Sequence, residues 1–365
     1  MGFKCGIVGL PNVGKSTLFN ALTQTANAEA NNYPFCTIEP NVGEVAVPDQ
    51  RLTKLGDISN SKNIIPTKLT FVDIAGLVEG ASKGEGLGNK FLSNIRETDA
   101  IAHVVRCFDN DNITHVQNKI DPLSDIQTIE TELLLADIEN LENRKAGLEK
   151  KIKSQDDDAK TQYSFIVEII KFLNQGSPAR DYELDKNQLK IYKDYNLLTA
   201  KPIFYICNVE EDDALTGNKY TDIVIEYTRN TDNFSVIISA ATESELSILD
   251  ENEKAEYLNT LGLKETGLNK VIRAGYSILD LITYFTSGPK ETRAWTIREG
   301  ATAPKAAGII HTDFEKGFIR AETIGYDDYV NLNGEQGAKD SGKMRLEGKD
   351  YTVKDGDIMH FRFAN

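Results

Sequence analysis

The sequence predicts an α/β protein: a mostly parallel sheet with helices on both faces, an inserted pair of long helices, and a small α+β domain at the C-terminal end. Three observations carry this. Short apolar runs alternate with helix-sized intervals over roughly the first hundred residues and again after residue 200, the rhythm of βαβ units. Between about Thr128 and Lys201 the apolar residues recur at heptad-like steps instead. From about Leu281 the chain turns to short alternating segments with many glycines. The expected organisation is therefore 1–127 and 202–280 as two parts of one α/β domain, 128–201 as a helical insertion, and 281–365 as a separate domain.

The candidate strands are Phe3–Val8, Lys68–Asp73, Ala100–Phe108, Pro202–Asn208 and Phe234–Ala240, each bounded by Gly, Asp or Asn. A helix over Ser16–Gln24 follows the first. In the insertion, Leu134, Ile138, Leu141, Leu148 and Ile152 follow a 4-3-7-4 spacing, with Lys145 at the skipped position, and Ile166, Ile169, Ile170 and Leu173 form a second series. The polar break Ser154–Asp158 between them predicts an antiparallel coiled-coil hairpin, whose first helix of about 26 residues would project roughly 40 Å. Two ordinary helices packed on the sheet are the alternative.

Composition narrows the function classes. The 365 residues are 40% apolar and 27% charged, enough to bury a real core. Lys and Arg number 41 against 56 Asp and Glu, a net charge of −15, which speaks against sequence-specific DNA binding along a broad surface. The last 85 residues carry 12 Lys and Arg against 13 Asp and Glu, so −1, leaving −14 for the rest. Lys339, Lys343, Arg345 and Lys349 cluster there, and any nucleic-acid contact is expected to be such a local patch. Cys5, Cys36, Cys107 and Cys207 are far apart without a CxxC pair, so neither a disulfide scaffold nor a zinc ribbon is expected. No apolar run approaches the ~20 residues of a membrane helix, and the N-terminal residues lack a signal peptide's apolar region. A cytoplasmic protein without membrane partners is the expectation.

The chemistry begins at Gly9-Leu10-Pro11-Asn12-Val13-Gly14-Lys15-Ser16, which matches G-x-x-x-x-G-K-[ST] between a strand and a helix. Glycines let backbone N–H groups of Asn12, Val13, Gly14, Lys15, Ser16 and Thr17 converge on phosphate oxygens, and the helix N-terminus adds its positive end. Lys15 would reach the β- and γ-phosphates and act in catalysis, while the Ser16 hydroxyl would bind Mg²⁺. The site therefore takes a nucleoside triphosphate. Asp73-Ile74-Ala75-Gly76 fits D-x-x-G at a strand end, with Asp73 a second Mg²⁺ group and Thr37 a third, from the first switch loop. Gly84–Gly88 reads as part of a mobile second switch. Leu77 stands where Ras-type enzymes carry the Gln that orients water, so hydrolysis uses another group, takes one from outside, or is intrinsically slow. The base-reading motif N-K-x-D is replaced by Asn208-Val209-Glu210-Glu211. The Lys is absent and Glu211 holds the Asp position, which weakens guanine preference, although a Glu one methylene longer could still reach guanine. Ser239-Ala240-Ala241 matches the loop that completes a base pocket.

These residues in this order, with Tyr33–Thr37 before Pro40–Gly43, Ala100–Phe108 and His311–Arg320, resemble the YchF (Obg-like ATPase) family of translation-factor-class P-loop proteins over essentially the whole chain. The resemblance implies an α/β P-loop NTPase G domain, an inserted coiled-coil arm and a β-grasp TGS domain. It further implies ATP preferred over GTP and association with the ribosome through ribosomal RNA and protein. His115 matches a family histidine that assists hydrolysis in place of the missing Gln. Asn12 matches an asparagine that binds potassium in some GTPases with an apolar residue after D-x-x-G, which adds K⁺ as a candidate cofactor beside Mg²⁺. Cys36, next to Thr37, could sense oxidation, with an ordinary packed or exposed thiol the favoured reading. Three functions stay open: an ATP-hydrolysing switch, an Obg-type GTPase, and a nucleotide-gated binding module with incidental hydrolysis.

Overall fold

The computed structural model describes residues 2–30, 41–75, 87–110, 119–153, 156–229, 231 and 233–364. In chain order, β1 (Lys4–Val8) and α1 (Lys15–Ala30) flank the glycine loop. Then come β2 (Val42–Ala46), α2 (Gln50–Ile58), β3 (Asn63–Ile65), β4 (Lys68–Asp73), α3 (Leu87–Arg96) and β5 (Ala100–Arg106). The insertion holds α4 (Pro122–Ile152), α5 (Asp157–Leu173) and α6 (Gln188–Tyr195). After it run β6 (Ile203–Asn208), α7 (Lys219–Arg229), β7 (Ser235–Ile238), α8 (Ala240–Leu246), α9 (Glu251–Thr260) and α10 (Gly267–Ile278). The chain ends with β8 (Leu281–Ser287), β9 (Glu291–Arg298), α11 (Ala303–Ile310), α12 (Thr312–Lys316), β10 (Phe318–Ile324), α13 (Tyr326–Asn331), α14 (Glu335–Asp340), β11 (Arg345–Glu347) and β12 (Ile358–Phe363). All five strands expected from the sequence are present, each slightly trimmed or unchanged. The described residues divide into two units, Met1–Gly43 with Thr70–Val271, and Glu44–Leu69 with Ile272–Asn365.

The first unit is built on a sheet of order β2-β4-β1-β5-β6-β7. β1 runs parallel to β4 and β5, β5 to β6, and β6 to β7. Every residue of β5 and β6 is buried, as parallel strands covered on both faces must be. The register Ile7↔Asp73 and Arg106↔Asn208 brings the ends of β1, β4, β5 and β6 to one edge, where ligands of open α/β sheets bind.

The insertion folds as a helical hairpin with a widened foot. Pro122 opens α4, and Asp121 caps it by accepting from the Ser124 N–H; Asp156 caps α5 through the Ala159 N–H. Leu141 and Leu148 of α4 pack with Phe165, Ile166, Ile169 and Leu173 of α5, and Leu134, Ile138 and Ile152 join them half-buried. The same core takes in Ala179, Tyr195 and Leu197, so the chain returning to the sheet is part of the packing. Asp137 pins that return. Buried on α4, it accepts from the backbone N–H groups of Leu198 and Thr199, both at 2.8 Å, and from the Thr199 hydroxyl at 2.7 Å.

The second unit carries a sheet of order β11-β10-β12-β8-β9-β3. A parallel β12–β8 pair is flanked by antiparallel β10–β12 and β8–β9 pairs. One cluster joins Tyr284, Ile297, Phe318 and Phe361 to Ala303, Ala306 and Ala307 of α11. A second joins Phe285, Ala294, Ile324 and Ile358 to Leu52 and Leu55 of α2. Residues 44–69 thus depart from the expectation that 1–127 form one domain part. The apolar face of α2 finds its cover on the C-terminal sheet, β3 extends that sheet in parallel beside β9, and Ser59 hydrogen-bonds Ser287 and Tyr329. Among the described residues, no helix is long and apolar enough to cross a membrane.

Candidate nucleotide-binding site

The loop between β1 and α1 turns through two left-handed residues, Asn12 at φ 64° and Gly14 at φ 91°. A Cβ on Gly9 would sit 2.9 Å from the Val104 carbonyl oxygen, and one on Gly14 only 2.1 Å from the Asn208 amide nitrogen. Both positions therefore need glycine, for space at each and for φ at Gly14. Val13 is buried, anchoring the loop, and the first turn of α1 carries no acid that would compete for its open N–H groups. Lys15 opens α1 and forms an ion pair with Asp73 at the end of β4, with both side chains largely buried. The Asp73 N–H is held by the Asn41 carbonyl at 2.8 Å. Ser16 and Thr17 lie exposed in the first turn of α1 beside this pair.

The opposite side is held by Asn208, which ends β6. Its side-chain N–H donates to the Val13 carbonyl at 2.9 Å and its side-chain oxygen accepts from the Ala240 N–H at 2.9 Å. One buried amide therefore ties the phosphate loop to the start of α8. Ser239 caps α8, accepting from the Thr242 N–H. Glu243, one turn further on, is buried and accepts from the Gly267 and Leu268 N–H groups at 2.6 and 3.1 Å, capping α10. Burial raises its pKa, against the lowering effect of those two N–H groups.

Glu211 sits exposed in a short helical turn after β6. Its Oε2 accepts from the Tyr257 hydroxyl at 2.7 Å and from the Thr242 hydroxyl at 3.2 Å, and Tyr257 also reaches Glu245 at 3.1 Å. These acids, Glu211 foremost, push the Tyr257 pKa well above the ordinary phenol value. Val209, directly after the end of β6, is 3% exposed. Its N–H is paired with the Ile238 carbonyl at 2.9 Å.

Asn12, Val13, Gly14, Lys15, Ser16, Asp73, Asn208, Ser239 and Ala240 thus converge at one sheet edge. Thr37, Cys36, Leu77, Gly84 and His115 lie outside the described residues. The other three cysteines, Cys5, Cys107 and Cys207, are buried and free. Tyr257, Thr242 and Glu243 were not legible in the sequence, since no motif spacing links them to the positions they touch. Among the described residues no cluster of three or more His, Cys, Asp or Glu could hold a metal by itself. The donors here still fit Mg²⁺, which takes hard oxygen ligands, often one carboxylate with substrate phosphates making up the shell, and Asp73 with the Ser16 hydroxyl supplies that chemistry.

A family model described as 50S ribosome-binding GTPase matches residues 4–143, and the YchF-GTPase C-terminal model, described as a protein of unknown function, matches 281–364. Over 363 residues the chain is 61% identical to a protein of Haemophilus influenzae named Ribosome-binding ATPase YchF, covering 100% of this chain and 99% of that one. A Bacillus subtilis protein of the same name is 53% identical over 365 residues, with 100% of both chains covered. The solved structure of the Schizosaccharomyces pombe YchF GTPase superposes with a TM-score of 0.88 at 39% identity, covering 99% of this chain and 98% of that one.

Proposed function

The chain belongs to the YchF family of P-loop proteins, and from that premise we propose that it hydrolyses ATP as a switch whose nucleotide state sets its affinity for the ribosome. Membership of a P-loop NTPase family makes it a nucleoside-triphosphate hydrolase; ATP as the preferred substrate, the ribosome as partner and the cytoplasm as location are our reading. The observation that carries it is the junction at Asn208, where one amide joins the phosphate loop to the segment after β7. Such a junction lets the base side and the phosphate side of one nucleotide be sensed together.

The phosphate groups would lie on the N–H groups from Asn12 to Thr17, with Lys15 neutralising charge on the β- and γ-phosphates. Lys15 would exchange its pairing with Asp73 for the phosphates, leaving the Asp73 carboxylate to Mg²⁺ together with Ser16 and, in our reading, Thr37. When bound, Mg²⁺ supplies positive charge to the phosphate oxygens. Asn12 is our candidate for holding K⁺. Leu77 cannot hydrogen-bond water, so we assign water orientation to His115. The relatives' names support ribosome binding, and the near-neutral C-terminal stretch is the least repelled by RNA phosphates.

The deciding experiment is a binding titration of ATP and GTP on the purified chain, with Lys15→Ala as the variant that should bind neither. Tighter binding of ATP is expected. Equal or tighter binding of GTP would overturn the ATP reading in favour of an Obg-type GTPase.

A further inference from the structure

Guanine presents two donors on its pairing edge, the N1–H and the 2-amino group, and a carboxylate reads it by offering one oxygen to each. Adenine presents one donor there, the 6-amino group, beside an acceptor nitrogen. At Glu211 the two carboxylate oxygens are not equivalent. Oε2 already accepts from two hydroxyls, Tyr257 at 2.7 Å and Thr242 at 3.2 Å. Oε1 accepts from no described residue. A carboxylate with one oxygen engaged can serve a base with one donor and leaves the second donor of guanine unpaired.

We infer that Tyr257 and Thr242 are specificity-determining residues of this site, selecting adenine over guanine by occupying the Glu211 oxygen that guanine would need. The inference rests on the reading of Glu211 as facing the base. Tyr257 suits the task because it is fixed from α9, whose N-terminus is held by a capping box between Asp250 and Glu253, and because it lies between two carboxylates, Glu211 and Glu245. Its single hydroxyl proton goes to the nearer of the two, Glu211. Thr242 divides its one hydroxyl proton between Glu211 at 3.2 Å and the Ser239 hydroxyl at 3.0 Å, so Tyr257 is the stronger of the two. Neither residue needs to touch the nucleotide; both act through the carboxylate, as positioning residues.

The test is Tyr257→Phe, which removes one hydroxyl and keeps the ring. ATP, GTP and ITP are titrated on parent and variant, ITP being the analogue with the N1–H but no 2-amino group. GTP affinity is expected to rise about tenfold relative to ATP, equivalent to about 1.4 kcal/mol, with ITP gaining clearly less, because only guanine uses the freed oxygen for a second donor. Thr242→Val should move the same ratio in the same direction and serves if Tyr257→Phe does not fold. If the parent prefers ATP and both variants keep its ATP-to-GTP ratio, the inference is overturned while the ATP reading stands. An equal gain for GTP and ITP would also overturn it, by showing a general loosening of the pocket. If the parent shows no preference for ATP, the underlying reading fails instead.

Discussion

Replacing Asn208 with alanine tests whether one amide holds the two halves of the nucleotide site together. The side chain is 5% exposed and makes two hydrogen bonds, to the Val13 carbonyl and from the Ala240 N–H, both at 2.9 Å. Alanine leaves both backbone groups without their partner, each at about 1–3 kcal/mol, so the loss of unfolding free energy should be about 2–6 kcal/mol. Asn208→Asp sharpens the argument. It keeps an oxygen for the Ala240 N–H but sets a second oxygen against the Val13 carbonyl, so acceptor faces acceptor, and adds negative charge behind the phosphate loop. The aspartate variant should therefore be at least as unstable as the alanine variant near neutral pH, although it is closer in shape. Urea unfolding measures the first effect and an ATP titration the second, where affinity should fall in both variants. An alanine variant within about 0.5 kcal/mol of the parent, with unchanged ATP affinity, would refute the bridging role.

His115→Ala should lower kcat by about 10²-fold while leaving ATP affinity nearly unchanged; equal turnover would remove His115 from the hydrolysis step. His103, wholly buried in β5 with neither ring nitrogen hydrogen-bonded among the described residues, has its pKa pushed down to about 3 from 6.5 by burial. The unfolded chain gains this proton as the pH falls through about 6.5 while the folded chain does not. Its contribution is therefore full above that pH and declines below it, by at most about 1.4 kcal/mol per pH unit. His103→Leu should show a smaller drop in urea midpoint than the parent between about pH 7.5 and 5.5, and equal drops would refute this. In the C-terminal basic segment, Lys343 lies 3.6 Å from Asp328 and Arg345 2.9 Å from Glu347, whereas Lys339 and Lys349 are exposed without an ion pair among the described residues. Reversing Lys339 and Lys349 to Glu should weaken co-sedimentation with ribosomes and flatten its salt dependence by about two charges. Unchanged sedimentation would place the contact elsewhere.

The parts of the fold legible in the sequence are those whose cause is local. β1, β4, β5, β6 and β7 are apolar runs closed by Gly, Asp or Asn, and the hairpin follows from heptad spacing interrupted by acids. β2 and β3 carry no such signal because they are short and partly exposed: β3 is three residues with none fully buried. The assignment of α2 to the C-terminal sheet is non-local, since Leu52 and Leu55 look like any amphipathic helix until Phe285 and Ile358 are beside them. The same divide runs through the site. Lys15, Ser16, Asp73 and Asn208 sit in spaced motifs and were readable. Tyr257 touches Glu211 across 46 residues, and Glu243 caps a helix 24 residues on, with no pattern to announce either.

The interleaving of residues 44–69 with the C-terminal sheet also sets a timetable. Ser59 meets Ser287, 228 residues later in the chain. At synthesis rates of about 5–20 residues per second, that separation is about 10–45 s. Throughout that interval the apolar side chains Leu52 and Leu55 have been made and their partners Phe285 and Ala294 have not. The β3 segment likewise waits for β9 as an unpaired edge, the kind of exposed backbone on which nascent chains associate wrongly. The α/β domain can assemble behind this loop, but the second unit is a late, long-range closure. Its birth is the step at which this protein most needs protection from neighbouring chains.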